Sequence, residues 1–133
     1  RTATAAVQTG AQRVGILATP GGQDLYVAEL ERQGRDAVVL DTSDRRAFLD
    51  TVFAVKRGDV GPGPRAEMRR LAAALVSEGA QVVIAGCTEV PLLLTAEDVT
   101  VPLVDSAEVL AMACIAACIP TSSYDQWRAD SVI

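Results

Sequence analysis

The stretch VVIAGCTEVPLLL, Val82 to Leu94, joins a run of β-branched and aliphatic residues to a helix-start signal across one glycine and one cysteine. A short apolar run bounded by turn residues reads as a buried strand. Behind it, Thr88 reads as an N-cap and Pro91 is tolerated within a first helical turn. A buried strand passing directly into a helix is the building unit of a parallel α/β sheet. The same stretch raises a chemical question. A cysteine inside the apolar run would be filler, whereas Cys87 sits where the strand runs out.

The rest of the chain repeats the strand–helix rhythm. RVGILAT (Arg13–Thr19) reads as a strand ending in a Pro-Gly-Gly loop, and DLYVAELERQG places Tyr26, Val27 and Leu30 on one helix face before the stop at Gly34. DAVVLD reads as a second buried strand. TSDRRAFLDTVFAVKRG offers Thr42, Ser43 or Asp44 as N-cap, an apolar face of Phe48, Leu49, Val52 and Phe53, and Gly58 as terminator. Pro64 suits the first position of a helix whose stripe is Met68, Leu71, Ala72 and Leu75. AQVVIAG is the third strand and VPLVD a short fourth. The helix SAEVLAMACIAACI is apolar almost all round and is expected to be buried on most sides. Residues 1–12 read as the end of a crossover helix, and the polar tail 120–133 supports no firm assignment.

This order predicts a single α/β domain over 1–133, with an open, mostly parallel four-stranded sheet flanked by helices and right-handed crossovers. Ligands of such sheets bind beyond the carboxyl ends of the strands. Thr19, Asp41, Cys87 and Asp105 all fall there in the sequence, so one rim is expected to carry them.

Bulk properties narrow the function. The 133 residues suffice for one core, half of them are apolar and only 4% aromatic. A net charge of −5 without a basic run argues against nucleic acid or an anionic membrane as partner. No apolar stretch is long enough to span a bilayer and none resembles a signal peptide. Three cysteines leave one unpaired, which points to a reducing, cytoplasmic setting. The chain begins at Arg1 inside an Ala-rich segment, and its mean hydropathy is slightly positive. Both suggest a piece of something larger or an oligomer burying apolar surface.

If a helix starts after Thr88, its free N–H groups and positive end favour a Cys87 thiolate and form a receptor for a carboxylate. Such a pair can remove a proton from the carbon next to that carboxylate. Glu89 opposes the thiolate by its charge. The plain alternative is a small residue fitting a tight strand-to-helix turn.

At this point the residues resemble a family. GCTEVPLLL is similar to the second cysteine motif of the aspartate/glutamate racemase superfamily, nearest its aspartate racemase branch; glutamate racemases carry a histidine where this chain has Glu89. AQRVGILAT resembles the strand opening that family's second domain, AVKRG its Lys-x-Gly segment, and VPLVDSAEVLAMA its closing helix. Together they cover Ala11 to about Ala117. The resemblance implies one half of a two-domain, pseudo-symmetric racemase that works without pyridoxal phosphate or any other cofactor. In it two cysteines face each other across the α-carbon of an acidic amino acid such as aspartate or glutamate. Carried over, Cys87 is one acid/base, Thr88 holds the α-carboxylate, Lys56 binds a substrate carboxylate, and Glu89 and Thr19 count among the substrate-binding positions. Lys56 reads equally as a cation suited to the last turn of a helix. Thr19 either lends a hydroxyl or ends a strand, and Asp105 either orients neighbours or caps the next helix.

The sequence also departs from that pattern. It has no Gly-Cys-Asn-Thr motif for the opposing cysteine, and Cys114 and Cys118, four apart on the apolar helix, read as core packing. No histidine is present, so a metal site is not expected. ATPGGQDLY has Gly22 where the family's loop has a threonine. Three arrangements follow: a second domain whose first domain is missing, a homodimer giving one Cys87 from each copy, or a single-cysteine relative such as a decarboxylase. A non-catalytic carboxylate binder stands beside them.

Overall fold

A computed structural model of the chain describes residues 2–118; the tail 120–133 lies outside the described residues. The described part is a three-layer α/β/α unit. It runs α1 (Thr2–Gln8), β1 (Arg13–Leu17), α2 (Pro20–Arg32), β2 (Asp36–Val38), α3 (Thr42–Lys56), α4 (Pro62–Ser77), β3 (Val82–Ala85), two 3₁₀ turns (Val90–Leu92 and Ala96–Asp98), β4 (Leu103–Asp105) and α5 (Ser106–Cys118). All four strands are parallel, in the order β2-β1-β3-β4, with Ile16 paired to Ile84 and Ile84 to Val104. The fold class read from the sequence is therefore the observed one.

Strand alternation divides the core in two. Val14, Ile16, Val82 and Ile84 face α1 and α2 in a cluster with Ala3, Ala6 and Leu30. Leu17, Val83 and Ala85 face the opposite side, where Phe48, Val52, Met68, Leu71, Ala72 and Leu75 of α3 and α4 close over them. The α4 stripe is buried as its spacing requires. Helices α2 and α3 end in the expected left-handed glycine turns. Gly34 and Gly58 take φ of 71° and 92°, and Arg35 N–H and Asp59 N–H donate back to the carbonyls of Leu30 and Ala54.

Several sequence expectations need correction. The N-cap of α3 is Asp41, whose carboxylate accepts from Asp44 N–H at 2.8 Å. Helix α4 begins at Pro62 behind Gly61, two residues before Pro64, because Pro62 already offers a preset φ at the first position. On α3 the buried face is Phe48, Thr51, Val52 and Val55, while Phe53 is exposed; one residue beyond Val52 turns about 100° away from the sheet. The DAVVLD run gives only a three-residue edge strand, and Val39 beyond it is exposed.

The largest correction concerns α5. It has no buried residue; Leu110, Cys114 and Cys118 are exposed. It lies against α1 and β4 at the end of the sheet, where the described residues supply no second layer to cover its outer face. Composition marked the helix as apolar but not what it packs on. No helix among the described residues is long and apolar enough to cross a membrane.

Candidate active site

The end of β3 builds the site. After Ala85 the chain leaves the sheet through Gly86, whose N–H still donates to Leu17 of β1 at 2.9 Å. A Cβ placed on Gly86 would lie 2.6 Å from the Tyr26 ring and 3.0 Å from the Ala18 methyl. Only glycine lets the α2 tyrosine close over the strand end here. Cys87 follows, half-buried against the α3/α4 core.

Three side chains converge beside it. The Cys87 thiol donates to Glu89 Oε2 at 2.7 Å, the Thr88 hydroxyl donates to the same oxygen at 3.1 Å, and Lys56 Nζ holds Glu89 Oε1 at 3.1 Å. Lys56 arrives from the far end of α3. The edge strand β2 stops early, so α3 starts at Asp41 in a groove shared with Arg13, the first residue of β1, and with Ser77 and Glu78 at the end of α4. From there α3 runs up to the rim that carries Cys87. Asp41 is engaged as the cap of α3, and Lys56 is the residue of that helix that reaches the Cys87 cluster.

The segment after Thr88 is not a helix. It is one 3₁₀ turn, Val90–Leu92, entered from an αR-shaped Glu89 that makes no side-chain cap. One turn carries almost no macrodipole, so the expected stabilisation of a thiolate is absent. The electrostatics run the other way. Burial, then the hydrogen bond to Glu89, push the Cys87 thiol above its usual range. The Glu89 carboxyl is lowered to about 2, first by the thiol's hydrogen bond and then by Lys56 and Thr88. Cys87 is a thiol and Glu89 a carboxylate.

Of the positions read from the sequence, the structure brings together Cys87, Thr88, Glu89 and Lys56. Thr19 caps α2 without a side-chain cap bond and makes no hydrogen bond to this cluster. Asp105 caps α5, its Oδ1 accepting from Ala107 N–H at 2.9 Å. Cys114 and Cys118 sit on α5, away from β3 in the chain and exposed. Among the described residues no group of three or more His, Cys, Asp or Glu is placed to hold a metal ion.

Sequence reading missed Tyr26. Beside Thr88 opens a cavity of about 450 Å³ lined by Tyr26, Ser106, Ala107, Val109 and Leu110. Tyr26 also walls a smaller one of about 290 Å³ with Gly22, Leu25 and Gly86. The signal was present in ATPGGQDLY, where Tyr26 closes the loop that the resemblance singled out, and in the glycine preceding Cys87.

Comparison with known proteins shows the family and the fold. The model of the Asp/Glu/Hydantoin racemase family matches residues 1–114. A Yersinia pestis protein assigned to the Asp/Glu racemases is 31% identical with a TM-score of 0.72, covering 78% of this chain and 47% of that one. An aspartate racemase homologue from Pyrococcus horikoshii is 30% identical with a TM-score of 0.71, covering 81% and 49%. Picrophilus torridus aspartate racemase, at 20% identity and a TM-score of 0.68, shares the fold over 93% and 53%. An uncharacterized protein encoded in the pnlA 3′ region of Pectobacterium carotovorum is 32% identical over 102 residues, 74% of this chain and 67% of its own length. The chain spans about half the length of the solved relatives.

Proposed function

The chain belongs to the Asp/Glu/hydantoin racemase family, and from that premise we propose that it supplies one side of a cofactor-independent, cysteine-based site for proton exchange at the α-carbon of an acidic amino acid such as aspartate or glutamate. The observation that carries the reading is Cys87, half-buried at the carboxyl end of β3 with Thr88, Glu89 and Lys56 gathered around its sulfur.

In this reading Cys87 exchanges the α-proton from one face of the substrate. The substrate lies in the cavity lined by Thr88, the exposed residue that follows Cys87. Lys56, with 55% of its side chain exposed, is free to share its charge between Glu89 and an incoming carboxylate. Removal on one face and return on the other need two groups. The second comes from outside the described residues: from another α/β half, as the length of the solved relatives suggests, or from a second copy of the chain.

The site also suits a second reading. A single thiol donor satisfies a decarboxylase, which reprotonates one carbanion on one face. Cys87 held as a thiol favours that reading, and release of carbon dioxide from a malonate-type substrate separates it from racemisation.

The test is deuterium uptake from solvent at the α-carbon of aspartate and glutamate, followed by proton NMR with Cys87→Ser as the control. Exchange that depends on Cys87 supports the reading. Equal exchange in both proteins removes it.

A further inference from the structure

Glu89 is bound on both of its oxygens, and this arrangement has a consequence for the direction of proton flow. We propose that Glu89, oriented by Lys56 and Thr88, is a positioning residue that keeps Cys87 in its neutral thiol form, so that this side of the site is the proton donor of the resting enzyme. The proposal deepens the racemase reading and rests on it for its catalytic meaning; the latch itself is a property of this chain.

The geometry argues as follows. Glu89 Oε2 lies 2.7 Å from the Cys87 sulfur, so a thiolate there would set two anions in contact, whereas a thiol donates a hydrogen bond to it. Thr88 donates to the same oxygen at 3.1 Å, which fixes the carboxylate toward the sulfur. Lys56 holds the other oxygen at 3.1 Å and keeps the carboxylate charged. Glu89 is largely enclosed, with 17% of its side chain exposed, so little solvent relieves the contact. The charged groups acting on the sulfur are Glu89 from its own loop and Lys56 from α3. Glu89 lies nearer and outweighs the cation.

In the donor step the Cys87 S–H bond breaks and a Cα–H bond forms on the substrate carbanion; the sulfur keeps the electron pair as a transient thiolate. The negative charge leaves the carbon and arrives at a sulfur on which Lys56 acts as a stabilising cation. The base that creates the carbanion is then on the opposite side of the substrate. Glu89 touches no substrate atom in this scheme and acts through the Cys87 thiol it binds, whose hydrogen bond to Oε2 is given up as the proton leaves.

The latch is tested on the chain itself, without substrate. The rate of Cys87 alkylation by iodoacetamide is followed against pH, with mass spectrometry after cleavage at glutamates, which cuts between Cys87 and the exposed Cys114 and Cys118 at Glu97 and Glu108. The midpoint for Cys87 is expected above the ordinary thiol value of about 8.5. Glu89→Gln is expected to lower it and raise the alkylation rate near pH 7.5 by about tenfold for each unit of pKa lost. Lys56→Met is expected to move the midpoint up. A wild-type midpoint at or below the ordinary value overturns the proposal, and this needs no variant to fold. So does a Glu89→Gln profile that matches wild type while circular dichroism shows the variant folded. Failure of deuterium exchange with an intact latch would instead sink the racemase reading and leave the latch standing.

Discussion

Gly86→Ala tests how tightly the site is assembled. The added methyl would sit 2.6 Å from Tyr26 Cε2, 3.0 Å from the Ala18 methyl and 3.4 Å from the Leu17 carbonyl oxygen. Carbon atoms at rest lie about 3.5–4.0 Å apart, so the ring has to move by about 1 Å. Leu17 is fixed in the sheet and Ala18 is buried directly behind it, which leaves Tyr26 as the group that yields. Overpacking of this kind costs roughly 1–3 kcal/mol. With a urea m-value of about 1–3 kcal/mol/M, the unfolding midpoint should fall by about 0.3–3 M. The decisive measurement is a double-mutant cycle. In a Tyr26→Ala background the collision with the ring is gone, and the cost of Gly86→Ala should drop by at least about 1 kcal/mol, leaving the milder Ala18 contact. Equal cost in the two backgrounds would refute the idea that the ring is what Gly86 accommodates.

Four further outcomes follow from the same structure. Phe48→Ala, which empties a fully buried position, should cost about 3–5 kcal/mol in urea unfolding, while the exposed Phe53→Ala should change stability by less than about 0.5 kcal/mol; similar losses at both would mean α3 is rotated from the face described. The Glu89 carboxyl, lowered to about 2 from 4.5, stabilises the fold above the unfolded value and loses that contribution as pH falls toward 2. The full shift corresponds to roughly 3 kcal/mol, and solvent around the half-exposed Lys56 reduces it to about 1–2. The difference in stability between wild type and Glu89→Gln should therefore shrink between pH 4.5 and 2 in chemical unfolding; a constant difference contradicts the pairing. With Ellman's reagent at neutral pH, Cys114 and Cys118 of the folded chain should react in a fast phase and Cys87 in a slow one. One fast phase of three thiols would show the sulfur of Cys87 to be open.

Most of the fold was legible because burial on this scaffold is periodic. Val82–Ala85 and Val14–Leu17 are continuous runs of buried, non-polar residues, and Met68, Leu71, Ala72 and Leu75 repeat at helical spacing. What failed lay at the margins of elements, where tertiary placement decides. Asp41 precedes the residues considered as N-cap because β2 is only three residues long, which leaves the cap to the loop. The exposure of α5 was not legible at all. SAEVLAMACIAAC carries the composition of a core helix, and only the position of β4 at the sheet edge shows that the described chain has nothing to set against its outer face.

Around Cys87, the residues that meet were legible, as was the opposition of Glu89 to a thiolate, but the balance of charge on the sulfur was not. Cys87, Thr88, Glu89 and Lys56 were all singled out, yet the sulfur was expected to be ionised by the start of a helix. A Thr followed by Pro within three residues is compatible with a long helix or with a single turn, and local signals do not separate them. Burial separates them. Val90, Leu93 and Leu94 are all drawn into the core, and Thr95 then opens a new capping box with Asp98. The apolar anchors are spent within five residues, so the backbone makes one turn and leaves. That short turn removes the helix field and lets Glu89 fold back onto the sulfur it follows by two residues. Cys87 therefore takes its protonation from a carboxylate, and Lys56, at the far end of a helix set in motion by a truncated edge strand, decides how firmly that carboxylate stays charged.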